Sequence, residues 1–141
     1  MKEAIKEAKK ALLKGEVPVG AIIVKDKKII SYAHNMRETN NISTAHAEIL
    51  AIEESCRILN NWRLEGCSLY VTLEPCIMCT GAIINSRIDK VYFGSYDREN
   101  GAFCTAVSFD KIPLPEYYGG IMEKECDEIL NSFFENIRKR S

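Results

Sequence analysis

Three side chains of this 141-residue sequence are of types that grip zinc: His46, Cys76 and Cys79. His46 sits in Thr44-Ala45-His46-Ala47-Glu48, and the cysteines in Pro75-Cys76-Ile77-Met78-Cys79. A structural zinc site is closed by four protein ligands, whereas a catalytic one keeps a corner for water. The inventory here stops at three, because the other histidine, His34, and the other four cysteines do not lie at ligand spacing. Glu48, two residues beyond His46, is placed to handle protons on a water in the fourth position. These types at this spacing point to hydrolytic zinc chemistry.

Such chemistry requires two distant segments to deliver their ligands to one point. Cys76 and Cys79, three residues apart, fall on nearly one face of a helix. At a helix start, the partial positive charge also favours the thiolate that zinc needs. His46 and Glu48 would diverge by about 200° inside a helix of about 3.6 residues per turn. They serve one ion only if it lies beyond a helix N-terminus, and Thr44 as cap puts both in the first turn. The expectation is two helix starts aimed at each other across the ion. Taken singly, each piece has a plainer meaning. C-x-x-C also serves as a redox pair or as half of a structural zinc site. A helix-start histidine is often a cap, and a first-turn glutamate a solvated acid. Their coincidence in one chain favours the metal.

The apolar pattern supplies the elements. Ala4, Ile5, Ala8 and Leu12 follow a helical period that Gly15 ends. Val19–Val24 is a β-branched run, Lys25-Asp26-Lys27-Lys28 a polar turn and Ile29–Tyr32 a second strand, which predicts a hairpin. Residues 34–44 read as loop, followed by a helix from about 45 to 59 with Ile49, Ile52 and Cys56 inward. Leu69–Leu73 is a strand, Pro75 opens a helix to about Ser86, and Val91-Tyr92-Phe93 is a further short strand. Gly101, Pro113 and Pro115 predict loop and only brief helix over residues 96–116. The last helix runs from Met122 to Arg138, with Cys126, Ile129, Leu130, Phe133, Phe134 and Ile137 as its core stripe. This alternation predicts an α/β sandwich, helices covering both faces of a mixed sheet.

Composition bounds the rest. A chain 46% hydrophobic has material for one globular domain over residues 1–141. The net charge of −1 excludes a bulk basic field, so nucleic-acid contact would have to come from local patches and shape. Six cysteines suit a disulfide scaffold only in a small secreted protein. The charged opening Met1-Lys2-Glu3-Ala4 is not a signal segment, and no apolar run reaches membrane-spanning length. A reducing cytoplasm is expected, with Cys56, Cys67, Cys104 and Cys126 as small buried hydrophobes.

H-x-E followed at a distance by P-C-x-x-C is a known signature of zinc deaminases acting on cytosine or adenine. The stretches Thr44-Ala45-His46-Ala47-Glu48-Ile49 and Tyr70-Val71-Thr72-Leu73-Glu74-Pro75-Cys76-Ile77-Met78-Cys79-Thr80-Gly81-Ala82 resemble the bacterial tRNA-specific adenosine deaminases. So do Gly15-Glu16-Val17-Pro18-Val19-Gly20-Ala21, Ser86-Arg87-Ile88, Phe93-Gly94-Ser95-Tyr96-Asp97, and Glu125-Cys126 followed by Phe133-Phe134. The likeness runs through nearly the whole chain. It implies a cytidine-deaminase-like three-layer α/β/α sandwich around a mixed five-stranded sheet, assembled as a homodimer. It implies one Zn2+ per subunit on His46, Cys76 and Cys79, with Glu48 as the catalytic proton shuttle. Substrate contacts are implied for Asn35, Ala47 and Asp97, with Asn35 holding the target base and Asp97 touching RNA ribose. Backbone amides at the Cys76 helix start are placed to steady developing oxygen charge. Glu74 reads instead as a structural acid holding nearby backbone amides.

The activity implied is conversion of adenosine to inosine at the tRNA wobble position. The tRNA enzymes usually carry Asn-His before the fifth strand and G-A-x-G-S after the fourth. This chain has Gly101-Ala102-Phe103-Cys104-Thr105 and Pro113-Leu114-Pro115-Glu116-Tyr117-Tyr118 there. Two other readings stay open: a deaminase of a free base or nucleoside such as guanine or cytosine, and a non-catalytic, zinc-stabilised RNA-binding subunit. Glu48 argues against the second, because a structural site has no use for an acid beside it. The partner is accordingly a tRNA anticodon loop or a small nucleobase. Arg138-Lys139-Arg140 suits phosphate, and equally an ordinary helix end.

Overall fold

Asp26 and Lys27 both adopt positive φ, 51° and 64°, forming the two-residue turn whose twist matches that of the paired strands it joins. In the computed structural model, which describes residues 1–107 and 111–140 (the Arg140 side chain excepted), this turn links β1 (Gly20–Lys25) to β2 (Lys28–His34). Both strands run past the β-branched cores that mark them in the sequence. On the other edge of β1 lies β3 (Cys67–Leu73), antiparallel to it. Then β4 (Lys90–Ser95) and β5 (Glu116–Tyr118) add in parallel, giving the order β2-β1-β3-β4-β5. The strand β5 completes the expected five-stranded sheet and overlaps the segment expected as loop only at Glu116. It is three exposed residues, too short for an alternation to register, and it is held by pairing with β4. Ser108, Phe109 and Asp110 of the same segment lie outside the described residues.

Among the described residues, five helices accompany the sheet: α1 (Lys2–Leu13), α2 (Arg37–Asn40), α3 (Ala47–Leu59), α4 (Ile77–Asn85) and α5 (Glu123–Arg140). On one face, Ala21, Ile23, Leu69, Val71, Val91 and Phe93 pack against Ala47, Ala51 and Ile52 of α3 and Ile83 of α4. Fully burying the Ile, Leu, Val and Phe side chains among them contributes about 1.5–3 kcal/mol each. On the other face, two glycines let helices approach closely. A Cβ at Gly20 would overlap the Ala4 carbonyl and Glu7 of α1, and one at Gly94 would overlap the Cys126 sulfur of α5. The result is three layers, α1 and α5 on one side and α3 and α4 on the other. Because β3 and β4 are parallel, α4 is their crossover and begins just past the end of β3.

Three details depart from the expected pattern. The inner face of α3 carries Ala47, Glu48, Ala51, Ile52 and Ser55, with Ile49 and Cys56 only half-buried. Ser55 is tolerated there because its hydroxyl pairs with that of Ser31 at 2.8 Å. Cys67 and Cys126 are buried as expected, but Cys104 is exposed. In α5, Cys126 is buried while Phe134 and Ile137 are 44% and 47% exposed. The apolar stripe of α5 is thus longer than the surface beneath it. Among the described residues, no helix is long and apolar enough to cross a membrane.

Candidate active site

The two ligand-bearing segments meet as helix starts, but one step inside the expected geometry. His46 itself is the N-cap of α3 and Cys76 the N-cap of α4, both with extended backbone and no side-chain capping bond. Thr44 does not cap α3, and its carbonyl instead accepts the His46 amide at 2.8 Å. Pro75 lies before the cap of α4, so the helix begins at Ile77. A cap residue is half outside its helix, and its side chain usually turns back to the first-turn amides. Here those side chains face each other. Cys76 Sγ lies 3.7 Å and Cys79 Sγ 3.5 Å from His46 Nδ1.

That spacing fits a metal. With Zn–N near 2.0 Å and Zn–S near 2.3 Å, tetrahedral angles place nitrogen and sulfur about 3.6 Å apart. The three candidate ligand atoms all lie within 4.8 Å of one another, and among the described residues no fourth His, Cys, Asp or Glu joins the group. A hydrogen bond from Cys79, helped by His46, holds the Cys76 thiol down at about 4, and the same contact pushes Cys79 up. The Cys76 contact raises His46. Metal binding replaces such protons.

Glu48, in the first turn of α3, is 4% exposed. Burial raises its carboxyl to about 7, against its own backbone amide and the Cys79 thiol, which favour the charged form less strongly. Protonated and ionised forms are therefore close in energy near neutral pH, the condition for passing a proton both ways.

His46, Glu48 and Cys76 open onto a cavity of about 790 Å³, and Asn35, Ala47 and Asp97 line it too. Cys79 sits behind, fully buried. Asn35 follows β2, with Nδ2 donating to the Val17 carbonyl at 3.2 Å and Oδ1 accepting from the Arg37 amide at 3.2 Å. Asp97 follows β4, and its Oδ1 accepts the Glu99 and Asn100 amides at 3.1 Å each, so the acid also shapes its own loop. Glu74 behaves as expected, collecting the amides of Asp97, Phe103, Cys104 and Thr105 and the Thr105 hydroxyl. The segment 101–105, unusual in sequence, is thereby wrapped around a buried carboxylate at the cavity edge.

Two contributors were not anticipated. Phe133, Phe134 and Ile137 of α5, expected in the core, form one wall of the cavity. The width of that stripe was the available signal. Glu16 also lines the cavity, and its partners Glu38 and Thr39 lie over twenty residues away, beyond the reach of local pattern. Lys139 is exposed at the end of α5, and the Arg140 side chain lies outside the described residues.

Residues 1–95 match the cytidine and deoxycytidylate deaminase zinc-binding region. The chain is 51% identical to the tRNA-specific adenosine deaminase of Bacillus subtilis, covering 99% of this chain and 89% of the relative. With the enzyme of the same name from Aquifex aeolicus it is 50% identical, covering 98% and 93%. A solved structure from work on A-to-I editing by tRNA:A34 deaminases at the wobble position superposes with a TM-score of 0.89. That structure is 42% identical, with 92% of this chain and 97% of the other covered. A zinc-type histidine–cysteine–cysteine cluster, a buried carboxyl beside it, the mixed five-stranded sheet and likeness along almost the full length agree: the chain belongs to the tRNA-specific adenosine deaminases of the cytidine and deoxycytidylate deaminase family.

Proposed function

We propose that residues 1–141 form one zinc-dependent deaminase domain that converts adenosine to inosine at the wobble position of tRNA. The observation that carries this reading is Glu48, a buried carboxyl beside three donors at zinc spacing in an open cavity. His46, Cys76 and Cys79 would hold the ion. When bound, zinc supplies a Lewis acid that makes water a nucleophile at neutral pH.

The chain's own groups do the rest. Glu48 takes the proton of the attacking water and delivers protons to the adenine ring nitrogen and then to the leaving amine, acting first as base and then as acid. Asn35 holds the base, with Ala47 forming the floor beside His46 and Asp97 meeting ribose at the rim. The partial positive charge at the start of α4, where the Cys76 amide lies, favours oxygen charge developing there. The Phe133–Phe134–Ile137 wall suits bases splayed from an anticodon loop, which stack on aromatic faces. We further place the protein in the cytoplasm as a homodimer.

The test is inosine formation on an anticodon stem-loop with adenosine at the wobble position, beside free guanine, cytosine and adenosine. Turnover of the stem-loop alone is expected. Turnover of free bases alone would replace the RNA reading, and zinc retained in full by His46→Ala would refute the ligand set.

A further inference from the structure

Resting on the role proposed for Asn35, we propose that Glu16 is a positioning residue that sets the orientation of the Asn35 amide from beneath the cavity. Glu16 is fully buried, and among the described residues no cation pairs with its carboxylate. Its oxygens are claimed by the α2 turn. Oε1 accepts the Glu38 amide at 3.0 Å, and Oε2 accepts the Thr39 amide and the Thr39 hydroxyl, the latter at 2.6 Å. A charge is costly at such a place unless several donors meet it, and here they come from one short turn.

That turn presents its preceding amide, Arg37 N–H, to Asn35 Oδ1. On the other side, Val17, next to Glu16 in sequence, accepts from Asn35 Nδ2. The Asn35 backbone amide is tied to the Val19 carbonyl at 3.0 Å. The Asn35 amide thus has an acceptor on its nitrogen side and a donor on its oxygen side, and a flip would set like against like at both. One N–H and one lone pair remain for substrate. Glu16 holds both partners in register: Arg37 through the turn, and Val17 through the chain. A glutamine at position 16 keeps the shape but must turn an NH2 toward a backbone N–H of the turn, that of Glu38 or of Thr39.

The experiment compares the zinc-loaded protein with Glu16→Gln, Asn35→Ala and the double variant. Amide exchange, which needs no substrate, is expected to lose protection at Arg37, Glu38 and Thr39 in Glu16→Gln. On the stem-loop, KM is expected to rise about tenfold with kcat changed less than about threefold and zinc content unchanged. Simple loss of folded enzyme would lower kcat and leave KM alone. In the Asn35→Ala background, Glu16→Gln is expected to add nothing. Unchanged exchange, a kcat effect without a KM effect, or multiplicative losses in the double variant would each overturn the proposal. Wild-type protein inert on the stem-loop would overturn the RNA reading alone. The KM comparison would then be made on whichever base the wild type deaminates, while exchange still decides the bracing.

Discussion

Glu48 and Glu74 are the same residue type, 4% and 2% exposed, and both border one cavity, yet they end in opposite states. For each, burial is the largest influence and pushes the pKa up. At Glu74, the Thr105 hydroxyl and the amides of Cys104, Asp97 and Phe103 outweigh it and hold the carboxyl below its ordinary value. At Glu48, its own amide and the Cys79 thiol do not, and the carboxyl stays near 7. Burial sets the cost of charge, and donors decide whether the charge stays. Glu74 is a fixed anion that spends its lone pairs on a loop, whereas Glu48 is free to exchange a proton.

Neutralising each acid without changing its shape separates the two roles. Glu48→Gln is expected to lower kcat about a thousandfold, within the usual range for a lost acid–base group. Its zinc content should match wild type and its thermal midpoint should hold, since few donors lose a partner. A large drop in the midpoint would mean that Glu48, like Glu74, is there to hold the fold. Glu74→Gln should do the reverse. It leaves buried amides facing an NH2 group, which is expected to cost about 3 kcal/mol in urea unfolding, with zinc bound as before. Thr105→Val removes a single hydroxyl donor from the same carboxylate and should cost about 1 kcal/mol. If that variant unfolded as readily as Glu74→Gln, the loop and not the carboxylate would be the critical element.

The contrast also explains what the sequence could disclose. The zinc donors and Glu48 were readable because their spacing is local and helix geometry converts spacing into direction. The identity of the caps was not, because Thr44 has the better capping chemistry and only the cross-chain meeting of His46 with Cys76 displaces it. The strands β1 to β4 announced themselves through runs of β-branched and aromatic residues, while β5 exists only through its pairing with β4. Glu74 was recognisable as a structural acid beside Pro75, but its loop partners 23 to 31 residues away were not. Glu16 stood in a family-like stretch, but its bonding role gave no sign, since the amides and hydroxyl it binds lie across a hairpin. Patterns repeat within elements, and long-range donors leave none.

The smallest expected signal is a change of slope, and it tests the comparison at its root. An unfolded glutamate titrates at about 4.3. In the folded chain Glu74 titrates lower, so near that pH the unfolded state binds more protons than the native one. Stability must then rise with pH through this window, be fully present above the unfolded value, and vanish as pH falls through the folded value. Glu16, held low by the Thr39 hydroxyl and the Thr39 and Glu38 amides against its burial, adds a second such contribution. Glu74→Gln keeps the Glu16 part and loses the other, so its acid limb should be shallower by at most one proton, about 1.4 kcal/mol per pH unit. Starting lower at pH 7, its curve should converge toward that of wild type as pH falls through the folded value. Zinc release in acid shifts both proteins alike, so the difference between two urea-unfolding series isolates Glu74. Parallel curves through the acid limb would mean that Glu74 titrates alike in the native and unfolded chain. Five donors would then have done no more than offset burial, and the distinction from Glu48 would narrow.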